Sequence, residues 1–137
     1  MIELFLDTSF AIALSSITDQ NHLQAVQLAD KIEISKARLV TTQAILLEIG
    51  NALSKQRYRI AAIQLLESLE VDPNIEVVLI TNDLYLSAFD LYKQRQDKEW
   101  GLVDCLSFIV MRNRNITDAL TADDHFQQAG FRALLRQ

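Results

Sequence analysis

Four carboxylates stand where an α/β chain could build chemistry. Asp7 directly follows the mostly apolar run Ile2-Glu3-Leu4-Phe5-Leu6, and Glu48 lies between Leu46-Leu47 and Ile49. Asp104 sits inside Leu102-Val103-Asp104-Cys105-Leu106, and Asp123 follows Ala119-Leu120-Thr121-Ala122 with Asp124 beside it. Each has a plain structural use: Asp7, Asp104 and Asp123 could cap helices, and Glu48 could be a solvated helix former. Together they fall near strand ends and helix mouths, and open α/β sheets form their sites outside the carboxyl ends of strands. Two carboxylates about 5 Å apart repel by roughly 3 kcal/mol at an effective dielectric of about 20, so such a cluster needs a cation or shared protons. Hard oxygen donors without thiolate or imidazole companions favour Mg²⁺ or Mn²⁺ over Zn²⁺. His22 and His125 lack the spacing of a zinc site, and Cys105 reads as a small core residue.

The elements that must position these acids follow from periodicity. Residues 2–6 read as a strand, and Thr8-Ser9 opens a helix after Asp7. Helical spacing runs over 21–34, residues 38–41 form a second strand, and Thr42 opens a helix whose apolar positions occupy 45–53. A further amphipathic helix, 60–71, ends at Asp72-Pro73-Asn74, since proline cannot continue it. The run 76–80 reads as a strand, Thr81-Asn82-Asp83 caps a helix over 84–96, and Trp100-Gly101 precedes a helix over 102–112. A short strand at 118–121, a short helix at 123–129 stopped by Gly130, and a last strand at 131–135 complete the chain. Strands alternating with helices imply a single α/β domain over 1–137, a three-layer α/β/α sandwich with a short, mainly parallel sheet.

Composition fits this reading. The chain has 137 residues, half of them hydrophobic and 23% charged, with only 3 Gly, 1 Pro and 1 Cys. That excludes an internal disulfide, makes an all-β fold a poor fit, and agrees with a reducing, cytoplasmic setting. No signal peptide is read at the N-terminus, and no apolar run approaches the roughly 18 residues of a membrane span. The net charge of −5 is the opposite of a general phosphate binder. Four of those charges belong to the proposed pocket, however, which leaves −1 for the remaining surface.

The motifs carry a resemblance. Leu6-Asp7-Thr8-Ser9, the acidic helix position Glu48, Trp100-Gly101-Leu102-Val103-Asp104-Cys105-Leu106-Ser107-Phe108, and Ala119-Leu120-Thr121-Ala122-Asp123-Asp124-His125-Phe126 together resemble the PIN domain, more closely the VapC-type toxins of toxin–antitoxin pairs. The resemblance implies a Mg²⁺- or Mn²⁺-dependent endoribonuclease, with Asp7, Glu48, Asp104 and Asp123 as its catalytic and metal-binding acids. Thr8, Ser9, Ser107 and Thr121 match supporting hydroxyls, while Asp124 falls on a variable position. It further implies a cognate antitoxin and a homodimer; the alternative is a PIN scaffold acting mainly as a protein-binding module. Lys55, Arg57 and Arg59 are candidate RNA contacts, with Arg112 and Arg114 behind them; each could equally be a solvated basic face. A haloacid-dehalogenase-type phosphotransfer enzyme would need an acid where Ser9 stands, and a receiver domain would need an acidic pair where Phe5-Leu6 precedes Asp7.

Overall fold

The computed structural model describes residues 2–136. Its sheet has five strands in the order β3-β2-β1-β4-β5, and every neighbouring pair is parallel. The strands are β1 (Glu3–Leu6), β2 (Arg38–Thr42), β3 (Ile75–Val78), β4 (Asp118–Leu120) and β5 (Arg132–Ala133). Short apolar runs make the central strands because both faces of a parallel sheet are covered by helices; Phe5, Val40, Ala119 and Leu120 are all fully buried. The covering helices are α1 (Thr8–Ser15), α2 (His22–Ser35), α3 (Gln43–Ala52), α4 (Arg59–Val71), α5 (Asn82–Gln94), α6 (Leu102–Asn113) and α7 (Asp124–Gln128).

Strand order fixes where a site can form. From β1 the chain moves outward through β2 to β3, then returns to place β4 and β5 on the other side of β1. The order therefore reverses between β1 and β4, and the crevice outside the carboxyl ends of such a pair is where α/β sheets bind ligands. Asp7 leaves β1 and the segment from Thr121 to Asp123 leaves β4, so both flank that crevice. Asp7 N–H donates to the Leu120 carbonyl at 3.2 Å, closing the two strand ends against each other.

An aromatic cluster sets the angle between the last helices. Phe108 of α6, fully buried, packs edge-on against Trp100 and Phe126 at centroid distances of 5.0 Å each, with Phe131 at 5.7 Å. Trp100 Nε1 donates to Gln128 Oε1 at 3.0 Å, which ties the segment before α6 to the end of α7.

Most expected boundaries shift by a residue or two, and three of the shifts bear on the site. Residues 79–80 leave the sheet, because β3 pairs only with β2 and the last partner, Thr42, lies opposite Val78. Ile80 instead donates its N–H to Gln43 Oε1 at 2.9 Å. The final strand is only two residues long, pairing Arg132 with Asp118 and Ala133 with Ala119; Leu134–Arg136 then turns as a 3-10 helix, with Leu135 N–H bonded to the Thr121 carbonyl at 3.0 Å. Asp123 stands just outside α7 as its N-cap, accepting from His125 N–H at 2.9 Å.

Candidate metal centre

Asp7 is 7% exposed and held from three directions. The Thr121 hydroxyl donates to Asp7 Oδ2 at 2.6 Å, the Ser9 hydroxyl reaches the same oxygen at 3.1 Å, and the Thr8 backbone N–H adds a third bond. Burial nonetheless wins, pushing the carboxyl up to about 6 against these bonds, with the Glu48 charge adding to the rise. The hydroxyls are themselves interlocked. Ser9 and Thr121 lie 3.2 Å apart, Ala122 N–H donates to Ser9 Oγ at 3.0 Å, and Asp123 N–H donates to Thr121 Oγ1 at 3.0 Å.

Glu48 projects from α3 to meet α1, where the Thr8 hydroxyl donates to its Oε1 at 2.7 Å. Burial raises its pKa, the Thr8 bond lowers it, and the charges of Asp104 and Asp123 raise it again, for a net rise. That response to two acids on other elements places Glu48 in the same electrostatic pocket.

Asp104 is in the first turn of α6, where its Oδ2 accepts the N–H of the N-cap residue Gly101 at 3.1 Å. The structure thus gives Asp104 a capping role as well as a place in the cluster. The same oxygen accepts from His125 Nδ1 at 2.9 Å, and Asp123 Oδ1 lies 3.5 Å from that nitrogen. Asp104, Asp123 and His125 each present a ligand atom, all within 4.8 Å of one another. Burial raises the Asp104 pKa above the ordinary carboxylate range against the bonds from His125 and Gly101. For His125, burial opposes the imidazolium, but the Asp104 bond and the charges of Asp123, Asp104 and Asp124 outweigh it and raise the pKa.

The structure therefore gathers Asp7, Glu48, Asp104 and Asp123, with Thr8, Ser9 and Thr121 as their hydroxyl supports. Ser107 is not among these supports. It is fully buried in α6 and donates to the Val103 carbonyl at 2.9 Å, one turn back along its own helix. Lys55 and Arg57 lie on the exposed turn after α3, and Arg59 opens α4. Arg57 covers the Tyr58 ring at 4.8 Å, Arg59 donates to the Ser54 carbonyl at 2.7 Å, and no bond joins the three to the four acids among the described residues. Arg114 is bonded to Glu76 and lies 3.9 Å from Glu3, a group on the starting halves of β3 and β1, away from the crevice. His125 is the site residue that zinc spacing set aside. The signal was its place at the second position after an N-cap acid, which turns the ring back toward that acid.

The donor set suits a hard divalent cation. Three of the acids have pKa values raised by burial, the state of carboxylates packed together without a counter-charge, and a cation would reverse that cost. Each of Glu48, Asp104 and Asp123 has one oxygen tied to protein donors, which fixes its rotamer and leaves the other oxygen for a ligand.

Comparison with known proteins agrees with this architecture. The PIN domain family model matches residues 4–132. Over 129 residues the chain is 30% identical to the 23S rRNA-specific endonuclease VapC20 of Mycobacterium tuberculosis, covering 93% of this chain and 95% of the relative. The crystal structure of Mycobacterium tuberculosis VapC20, described as a Sarcin-Ricin loop cleaving toxin, superimposes with a TM-score of 0.82 at 29% identity over 93% of this chain and 95% of that one. The fold is also shared with VapBC2 from Rickettsia felis, solved bound to a DNA fragment from its promoter, with a TM-score of 0.66 at 15% identity and 97% of each chain covered. With the family model matching residues 4–132, nearly its whole length, the chain belongs to the PIN domain family.

Proposed function

We propose that this protein is a divalent-metal-dependent endoribonuclease, the toxin of a toxin–antitoxin pair, that hydrolyses RNA phosphodiester bonds at the Asp7/Glu48/Asp104/Asp123 cluster. The observation that carries the reading is the convergence of acids from four separate segments at one sheet edge, three with pKa values raised by burial. Asp7, Asp104, Glu48 and Asp123 would hold Mg²⁺ or Mn²⁺. When bound, the ion would supply Lewis-acid stabilisation of the charge building on the phosphoryl oxygens and would acidify the attacking water. The chain's residues do the rest. Thr121 and Ser9 orient Asp7, Thr8 orients Glu48, and Gly101 N–H with His125 orients Asp104, so the carboxylates meet their ligand without reorganising. No protein nucleophile is needed.

The VapC20 relative acts on 23S rRNA, which makes ribosomal RNA the first substrate to test. A protein partner is also proposed, either a cognate antitoxin or a second copy of the chain. Beside Glu48 lies a cleft of about 330 Å³ lined mainly by apolar residues, including Leu47, Ile80, Tyr85 and Leu102. Leu47 and Tyr85 are 65% and 44% exposed, surface that an antitoxin or a dimer would remove from water. Among the described residues no helix is long and apolar enough to cross a membrane, and the buried free Cys105 suits the reducing cytoplasm we assign.

The test is cleavage of purified cellular RNA and ribosomes by the wild-type protein with Mg²⁺ or Mn²⁺, compared with Asp104→Asn and with chelator. Loss of cleavage in both controls is expected. Equal cleavage by wild type and Asp104→Asn would overturn the assignment.

A further inference from the structure

We infer that Arg136 is a phosphate contact of the RNA substrate, built into the rim of the acidic crevice; the inference rests on the ribonuclease reading above. Parallel pairing sends the carboxyl end of β5 to the same sheet edge as those of β1 and β4. The chain then turns through Leu134–Arg136, and Leu135 N–H bonds the Thr121 carbonyl at 3.0 Å, so the turn is anchored to the residue whose hydroxyl holds Asp7. From there Arg136 Nη1 donates to the Ala122 carbonyl at 3.0 Å. Ala122 stands between Thr121 and Asp123, which puts an exposed guanidinium at the lip of the metal centre.

Arg136 combines a neutral-carbonyl anchor, of the kind Arg59 also has on Ser54, with a place next to Asp123. Arg95 is bonded to Asp97, Arg114 to Glu76, and Arg132 lies 3.4 Å from Asp118. Arg136 makes no ion pair among the described residues and is anchored by a neutral carbonyl instead. A carbonyl anchor orients the fork without neutralising it and uses one of five N–H donors, leaving others for a planar, doubly bonded contact with a phosphate. The charge of the site needs such a group. A cluster of acids attracts a cation but repels the phosphates flanking the cleaved bond, and the surface as a whole offers no excess of positive charge, at −5 net. One cation fixed beside Asp123, out of ion-pair reach of it, supplies local attraction without competing for the carboxylates.

The test separates charge from anchoring with two variants. Arg136→Lys keeps the positive charge, and Arg136→Gln keeps a donor for the Ala122 carbonyl without the charge. Binding of a fluorescently labelled RNA hairpin is measured by anisotropy over a salt series, in an Asp104→Asn background to prevent cleavage. Each variant is also assayed for cleavage of ribosomal RNA with Asp104 intact. Arg136→Gln is expected to weaken binding about tenfold at low salt and to flatten the plot of log affinity against log salt by about 0.7, the value of one phosphate contact on a single strand. In cleavage its KM rises, while its Tm and its Mn²⁺ titration midpoint match the wild type. Arg136→Lys is expected to recover the salt slope and part of the affinity. An unchanged slope and KM in Arg136→Gln, with the wild type cleaving normally, would overturn the role of Arg136 alone. A restored affinity in Arg136→Gln but not in Arg136→Lys would assign the side chain to anchoring and also overturn it. A wild type that neither binds nor cleaves RNA would remove the ribonuclease reading and this inference together.

Discussion

The Thr121 hydroxyl donates a 2.6 Å hydrogen bond to Oδ2 of Asp7, joining the ends of two neighbouring strands that lie 114 residues apart in sequence. Thr121 also accepts the Asp123 N–H, so one buried side chain links two of the four acids. A hydrogen bond to a charged group contributes about 1.5–3 kcal/mol. Thr121→Val removes it while keeping the shape, which raises the Asp7 pKa further and disfavours the ionised form that a metal requires. Mn²⁺ affinity at neutral pH, read by calorimetry, should fall about tenfold or more, whereas Thr121→Ser should stay near the wild type.

The pH dependence of the metal-free protein follows from the same burial. Asp7 titrates at about 6 in the folded chain against 3.8 as its ordinary value, so between these values the folded state holds a proton that the unfolded state has released. Stability therefore falls as pH rises through that window, by about 3 kcal/mol at roughly 1.4 kcal/mol per unit. Glu48 and Asp104 shift in the same direction. For His125 the raised pKa gives stability that is present below its ordinary value and lost as pH rises through the folded one. Urea titrations without metal should give a higher midpoint near pH 5 than near pH 7.5. Added Mn²⁺ should stabilise more at the higher pH, because the ion no longer competes with protons. Asp7→Asn should stabilise the metal-free protein at neutral pH and abolish cleavage.

His125 offers a separate handle on Asp104. Its Nδ1 lies 2.9 Å from Asp104 Oδ2 and 3.5 Å from Asp123 Oδ1, and an asparagine amide can reach where Nδ1 sits, whereas a phenyl ring fills the space without donating. His125→Asn is expected to retain most Mn²⁺ affinity and cleavage. His125→Phe is expected to lose about tenfold in both, since losing a donor to a charged acceptor costs about 1.5–3 kcal/mol. Equal metal affinity for the Phe variant and the wild type would show that the imidazole does not position the acids.

Local rules account for much of this site in the sequence. An acid immediately after an apolar strand, as at Asp7, and an acid inside an apolar helix start, as at Asp104, are visible one residue at a time. The PIN resemblance then joined segments that no periodicity could join. What stayed hidden depends on contacts between elements. Ser107 looks equivalent to Ser9 in sequence, yet one faces Asp7 and the other bonds its own helix, a difference set by the rotation of α6 on the sheet. The helix start at Thr42 was legible, since its side chain accepts Ile45 N–H. The end of β3 was not, since a strand stops where its neighbour stops. Arg136 carried no signal at all, because its place depends on the turn that follows a two-residue strand.

The aromatic cluster behind the site gives a last prediction, in which stability and function separate. Phe108 touches Trp100, Phe126 and Phe131, the residues that hold α6 and α7 at a fixed angle. Asp104 lies four residues before it on α6, and His125 is next to Phe126 on α7, so the His125–Asp104 bond depends on this packing. Phe108→Ala should cost about 3–5 kcal/mol, a large share of the 5–15 kcal/mol typical of a domain. Phe108→Leu fills most of the space and should cost clearly less. In urea titrations the Ala variant should unfold at a much lower midpoint. Cleavage measured well below its Tm should still fall in the Ala variant, because a loosened angle between α6 and α7 lets Asp104 and His125 move apart, and Mn²⁺ affinity should fall with it. A destabilised Ala variant with wild-type Mn²⁺ affinity would show that the acids are held by their own hydrogen bonds and do not rely on the cluster behind them.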